Sequence, residues 1–215
     1  MINNILFDFD GTLVDTRDGI VKSMHYAYDC MGYERLSDEK IRAVIGPPLQ
    51  DMFRQLAGVV DDAEIEKCVR FFRERYRKSG VSESELYPYV QEGLTLLKNH
   101  GKRLFIVSSK PEIFINQIGN RYDIIGLFDE ISAAPAVGKV PPKSLRIENM
   151  MKKYEMSSED TVMAGDRHED AEAAASNYIR CIGAVYGYDS KSMLQKFGCW
   201  KLCDSFREIC DVILA

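Results

Sequence analysis

The chain has 215 residues and a mass of 24.5 kDa, 46% hydrophobic and 28% charged, the proportions of an ordinary globular protein with room for one large domain or a core with a smaller insert. A net charge of −5 and a pI near 5.4 leave no basic footprint for nucleic acid and make an anionic membrane a poor partner. A small anionic substrate stays open, because local lysines, a metal or helix N-termini decide that, and no apolar run approaches the roughly 18 residues of a membrane span.

The opening Met1-Ile2-Asn3-Asn4 has no basic region and runs straight into a strand, so no signal peptide is expected. That strand, Ile5–Phe9, ends in Asp8 and Asp10 and breaks at Gly11-Thr12. Residues two apart share a side of a strand, so the two carboxylates are expected to meet at the sheet's carboxyl edge, beside a glycine that lets backbone approach a ligand. At about 4 Å they would repel by roughly 4 kcal/mol at an effective dielectric near 20. Mg²⁺, a hard ion that takes oxygen ligands, is the most economical balance.

From Asp15 to about Tyr87 no strand pattern appears, only helices punctuated by Gly32, Gly46-Pro47-Pro48, Gly58 and Gly80. Ile20, Met24, Ala27, Tyr28 and Met31 form one apolar stripe; Ile65, Cys68, Val69, Phe72 and Tyr76 form another. Both read as core. The expected boundaries are an α/β core at 1–14 and 88–215 and a helical insert at 15–87. Arg42, Gly46 and Arg54 in the insert are candidates to face a substrate.

Strands then alternate with amphipathic helices, the rhythm of βαβ units around a parallel sheet. Leu104–Val107 runs into Ser108, Ser109 and Lys110, followed by a helix over Pro111–Arg121; hydroxyls and free N–H groups at such a junction bind phosphate oxygens. After the strand Glu130–Ala133, Lys143 precedes a helix over Ser144–Tyr154, where its ammonium could reach the same edge. Thr161–Ala164 repeats the opening pattern, a strand ending in Gly165-Asp166, with Asp170 in the first turn of a helix over Glu169–Asn177. In a parallel sheet Asp8 and Asp166 emerge at one edge, so the acids outline a divalent-metal site. Cys181–Ala184 is the last strand, and Asp204 is expected to cap a closing helix through Leu214.

The six cysteines, Cys30, Cys68, Cys181, Cys199, Cys203 and Cys210, scatter through helical and strand segments, as reduced, buried thiols of a cytosolic protein do. Cys199 and Cys203 lack the second pair a zinc site needs. His25, His100 and His168 are isolated, and His168 reads as a neighbour of the acidic loop, not a ligand.

The order Asp8-Phe9-Asp10-Gly11-Thr12, Ser108 closing a strand, Lys143, then Gly165-Asp166-Arg167-His168-Glu169-Asp170 resembles the haloacid dehalogenase superfamily over essentially the whole chain. Phe7 to Thr16, Ile45-Gly46-Pro47-Pro48-Leu49 and Gly165-Asp166-Arg167 are similar in form to its phosphoglycolate-phosphatase-like members. The resemblance implies a Rossmann-like parallel core with an inserted helical cap of the C1 type, the cap opening and closing through linkers near Leu13–Thr16 and Leu86–Pro88.

It further implies a cytoplasmic, Mg²⁺-dependent phosphatase, a monomer or homodimer, acting on a small phosphorylated metabolite. Asp8 would be the nucleophile and Asp10 the acid and then the base. Asp8, the Asp10 carbonyl and Asp166 would hold Mg²⁺, with Asp170 behind them. Ser108 and Lys143 would bind the phosphoryl group, helped by amides near Gly11, Thr12 and Ser109. Many relatives place the lysine in a Lys-Pro-x-Pro run, so Lys139 is the fallback for Lys143. Dehalogenases lack an acid at the Asp10 place, which favours phosphoryl transfer. The alternatives are a 5'-nucleotidase or pyrophosphatase of the same superfamily, a sugar phosphomutase, and a non-catalytic binding module.

Overall fold

The computed structural model describes residues 1–57, 61–135 and 140–215, so Gly58, Gly138 and Lys139 fall outside the described residues. The chain divides into two compact units, Met1–Val14 with Leu86–Ala215, and Asp15–Glu85.

The first unit opens with β1 (Asn4–Phe7) and is left and re-entered through two-residue strands, β2 (Val14–Asp15) and β3 (Glu85–Leu86), where no strand was expected. Then come β4 (Arg103–Pro111), β5 (Glu130–Ala134), β6 (Thr161–Gly165), β7 (Arg180–Ala184) and β8 (Lys201–Cys203). Six of these strands form one parallel sheet in the order β5-β4-β1-β6-β7-β8, so the winding reverses beside β1. Open sheets bind ligands at the carboxyl ends of the strands on either side of such a reversal. Asp8 follows β1 and Asp166 follows β6, the two strands at that point.

β1 reads as an unbroken apolar run because both its faces are covered. Leu6 lies in one layer with Phe105, Ile147, Met163 and Ala174, whereas the Phe7 ring meets Phe206 at 5.8 Å and Phe128 at 6.4 Å on the other side. Strand β4 runs four residues past the expected end at Val107, with a register shift between Val107 and Pro111. The short β8, with an exposed lysine at its start, carried no strand signal in the sequence.

The helical unit contains α1 (Arg17–Met31), α2 (Asp38–Arg42), α3 (Leu49–Ala57) and α4 (Asp62–Arg75), the last continuing into one wider turn at Tyr76–Gly80. The expected stripes are its interior, except that Met31 is only half-buried. Tyr28 stacks on Phe53 at 6.3 Å and Phe72 on Tyr76 at 5.4 Å.

In the first unit the helices are α5 (Val90–Asn99), α6 (Glu112–Arg121), α7 (Lys143–Lys153), α8 (His168–Ser176), α9 (Lys191–Lys196) and α10 (Phe206–Leu214). α5 and α9 were not foreseen. The closing helix is capped by Ser205, one residue later than expected: its hydroxyl accepts from the Glu208 N–H at 3.3 Å, while Glu208 accepts from the Asp204 N–H at 2.9 Å. Helices α5 to α9 all end in the same left-handed turn, with a residue at positive φ and paired backbone bonds back into the last turn. Gly101 and Gly198 occupy it after α5 and α9, but Asp123, Glu155 and Tyr178 occupy it after α6, α7 and α8.

Candidate active site

Carboxylate oxygens of Asp8, Asp166 and Asp170 all lie within 4.8 Å of one another, and all three residues are buried. The register explains the meeting. Phe7 pairs with Ala164 and the Asp8 N–H donates to the Ala164 carbonyl at 2.9 Å, so Asp8 and Asp166 leave neighbouring strands one step apart. Asp170 sits in the first turn of α8, where its carboxylate accepts the Arg167 N–H at 3.0 Å.

Each acid is held. One Asp8 oxygen accepts from the Phe9 N–H at 2.7 Å, and the other lies 3.0 Å from the Lys143 ammonium. Lys143, the first residue of α7, also reaches Asp170 at 2.5 Å, so it bridges two of the three acids. Asp166 accepts from the Thr12 hydroxyl and from the Tyr188 N–H, both at 2.9 Å.

Close approach here depends on glycine. Gly11 adopts φ +82°, and a Cβ there would stand 2.1 Å from an Asp166 carboxylate oxygen; one on Gly187 would stand 2.2 Å from the Asp166 Cβ.

Three buried acids are gathered here around the Lys143 ammonium, with the Arg146 guanidinium farther off but within the field of Asp8 and Asp170. Burial, then the charges of Asp170 and Asp8, raise Asp166 well above the ordinary carboxylate range, despite its two hydrogen bonds. Burial likewise pushes Asp170 up to about 6, Lys143 offsetting only part of that. Burial alone would pull the Lys143 ammonium down, but Asp170 and Asp8 outweigh it and hold Lys143 charged above the usual lysine range. A hard divalent cation fits this donor set: it would supply the missing positive charge to oxygen ligands already gathered.

The Asp10 carboxylate is not part of the three-acid cluster. Instead of meeting Asp8 it pairs with the buried Lys110, Nζ 3.0 Å away. Sequence reasoning missed Lys110 because β4 was expected to stop at Val107, and the irregularity after Val107 is visible only in the sheet register. Ser108 is buried one rung beyond Asp8 in the neighbouring strand, with its carbonyl accepting from the Arg146 guanidinium at 2.6 Å; Ser109 follows, half-buried.

The Gly11 N–H donates to the Val14 carbonyl at 2.8 Å, and the Thr12 hydroxyl is buried on Asp166. The turn after Phe9 ties these two groups to neighbouring protein atoms, and the Thr12 hydroxyl helps to fix Asp166. Gly187 and Tyr188 were also missed, since a backbone N–H and a bare Cα leave no side-chain signature. The His168 Nδ1 lies 2.7 Å from Asp189, which also takes the His168 N–H at 2.8 Å and pairs with Arg167 at 3.0 Å. Arg42 and Gly46 belong to the helical unit, where Arg42 pairs with Asp18 at 3.1 Å and Arg54 with Asp62 at 2.7 Å. Lys143 is the lysine that touches Asp8, while Lys139 lies outside the described residues. The thiols are not all buried: Cys30 is exposed and Cys199 half-buried.

Buried acids thus converge at the winding reversal of a doubly wound parallel sheet, the place where such α/β folds bind ligands. The family model of haloacid dehalogenase-like hydrolases matches residues 5–184, and the chain belongs to that family. A 5'-nucleotidase of Pseudomonas aeruginosa is 33% identical over 192 residues, 89% of this chain and 86% of that one. A phosphoglycolate phosphatase of Colwellia psychrerythraea is 29% identical over 212 residues, 95% of this chain and 94% of that one. The crystal structure of a predicted phosphatase from Clostridium acetobutylicum superposes with a TM-score of 0.92 at 29% identity, over 100% of this chain and 99% of that one. Within the family this chain is a phosphatase. Among the described residues no helix is long and apolar enough to cross a membrane.

Proposed function

We propose that the chain is a Mg²⁺-dependent phosphatase that hydrolyses a small phosphorylated metabolite through an aspartyl-phosphate on Asp8. The observation that carries this reading is the buried cluster of Asp8, Asp166 and Asp170 bridged by Lys143. Asp8 attacks phosphorus, and the bond to the ester oxygen breaks as Asp10 gives that oxygen a proton. In the second step water attacks the phosphoryl group, Asp10 takes the water's proton, and the acyl-phosphate bond breaks to return Asp8 and release inorganic phosphate. The Lys110 ammonium, 3.0 Å from the Asp10 carboxylate, holds that carboxylate in place for both steps.

Phe9 N–H and Lys143 hold the Asp8 carboxylate in one orientation, which removes the entropy of aligning it. Asp8, Asp166 and the Asp10 carbonyl would hold Mg²⁺, with Asp170 behind them fixing Lys143. When bound, the ion offsets repulsion between an anionic nucleophile and a phosphate dianion and aligns the two. Ser108 and the α7 end carrying Lys143 supply donors for the remaining phosphoryl oxygens.

Phosphoglycolate is the first candidate substrate, supported by phosphoglycolate phosphatases among the relatives. The 33% identity to a 5'-nucleotidase favours nucleoside monophosphates as the second. Release of inorganic phosphate across a panel of phosphorylated metabolites, with and without Mg²⁺, tests the reading. A preferred ester with Mg²⁺-dependent release supports it. Conversion of glucose 1-phosphate to an isomeric sugar phosphate without free phosphate would replace it with a phosphomutase.

A further inference from the structure

Two thiols outside the proposed chemistry face each other in the α/β unit: the sulfurs of Cys181 and Cys199 lie 3.8 Å apart. Cys181 sits in β7, in register with Met163 of β6, and is sealed in the apolar layer with Ala171 and Ala174 of α8, the helix that carries Asp170. Cys199 is placed by the turn that ends α9. Gly198 at φ +78° lets its own N–H reach the Gln195 carbonyl at 3.1 Å, and the Cys199 N–H reach Leu194 at 3.2 Å. The next residue, Trp200, donates its N–H to the Cys181 carbonyl at 2.7 Å. Backbone bonds on both sides of Cys199 therefore hold it against Cys181.

The two thiols differ. Cys199 is half-buried and Cys181 buried. The sulfur–sulfur contact pulls the Cys199 thiol below its ordinary range, while the same contact and burial push Cys181 up. By contrast, burial drives Cys203 up to about 11 and Cys210 up to about 12. A half-exposed thiol biased toward thiolate, with a resolving thiol at its side, is the arrangement of a redox-responsive pair.

We propose that Cys181 and Cys199 are a reversible disulfide pair, with a hydroperoxide as oxidant and Cys199 as the sulfur oxidised first. The Cys199 thiolate attacks a peroxide oxygen and the O–O bond breaks, giving Cys199 sulfenic acid and one water. The Cys181 sulfur then attacks the Cys199 sulfur, the S–O bond breaks, and a second water leaves. Two thiols lose two electrons and two protons, and one hydrogen peroxide is reduced to two waters. Reaching a bond of about 2.05 Å requires the sulfurs to close by roughly 1.8 Å. Cys181 is fixed within the sheet, so that closure falls to the half-buried Cys199 side chain.

The test uses the full chain carrying Cys30→Ser, which removes the exposed thiol. After hydrogen peroxide, denaturation and alkylation, peptide mapping is expected to show two thiols lost and one cross-linked peptide joining Cys181 to Cys199 in a monomer. Dithiothreitol restores both thiols. In a Cys181→Ser variant, dimedone captures a sulfenic acid at Cys199. The proposal is overturned if both thiols remain alkylatable, if Cys199 proceeds to sulfinic acid while Cys181 stays free, or if the cross-link joins other cysteines.

Discussion

Among the described residues, the charged side chains that are buried (Asp8, Lys102, Lys110, Arg146, Asp166, Arg167 and Asp170) all belong to the α/β unit. The helical unit buries Tyr28, Phe53, Phe72 and Tyr76 and leaves ion pairs such as Arg35–Asp29 and Arg54–Asp62 largely in water. An exposed pair adds little to stability, since water and salt already screen both charges. A buried charge is tolerated only where fixed partners replace the water it lost. The contrast therefore locates chemistry: one unit concentrates buried charge, and the other is held together by apolar and aromatic packing.

The largest expected effect removes the central charge. Asp8→Asn should lower turnover on the order of 10⁴-fold or more, measured as initial phosphate release. Circular dichroism and Tm should stay close to the parent, because the change also relieves repulsion among the acids. Turnover near the parent's would refute Asp8 as nucleophile.

Chelation comes next. EDTA should silence the enzyme and Mg²⁺ restore it, with a pH dependence set by the raised acids. In the metal-free protein, the stabilisation linked to Asp166 and Asp170 is present below their unfolded value of about 4 and is lost as pH rises through their folded values. A bound cation cancels that loss and must displace the protons to bind. Mg²⁺ should thus raise Tm more at about pH 8 than at about pH 5. Equal shifts would show that these carboxylates do not hold the ion.

Lys110→Met should reduce kcat about 10²-fold with KM nearly unchanged, as expected when an acid–base group loses its partner. Lys110→Arg should recover part of the loss; an unchanged kcat in the methionine variant would detach Lys110 from Asp10's work. In the helical unit, Phe53→Ala should cost about 3–5 kcal/mol in urea unfolding. Arg35→Ala there should leave Tm where it was, which sharpens the contrast between packing and exposed charge.

A small gain in stability concerns the turns. Tyr178 is 89% exposed and holds φ +57° after α8, so Tyr178→Gly should stabilise by up to about 1 kcal/mol, read as a small rise in Tm.

Much of this was legible in the residues before any coordinates. Two apolar runs ending in aspartate, at Asp8 and Asp166, and Lys143 opening a helix, carry their signal in side-chain identity and spacing. The parallel core followed from strand–helix alternation, and the helical insert from its two apolar stripes. Strand β8 and helices α5 and α9 were not legible, because short edge elements with mixed polarity lack a periodic signature. Lys110 depended on an irregularity after Val107, and the closing helix began at Ser205 because a serine–glutamate pair three residues apart outcompeted Asp204 for the cap.

Local chemistry and periodicity thus determined which residues carry charge and which elements deliver them, since both are properties of neighbours along the chain. Tertiary structure alone decided that Asp10 turns to Lys110, that Thr12 and Tyr188 hold Asp166, that Gly11 and Gly187 make room for it, and that Cys181 meets Cys199. Those contacts join segments distant in sequence, and sheet register and backbone hydrogen bonds fix them without leaving a mark on any single residue.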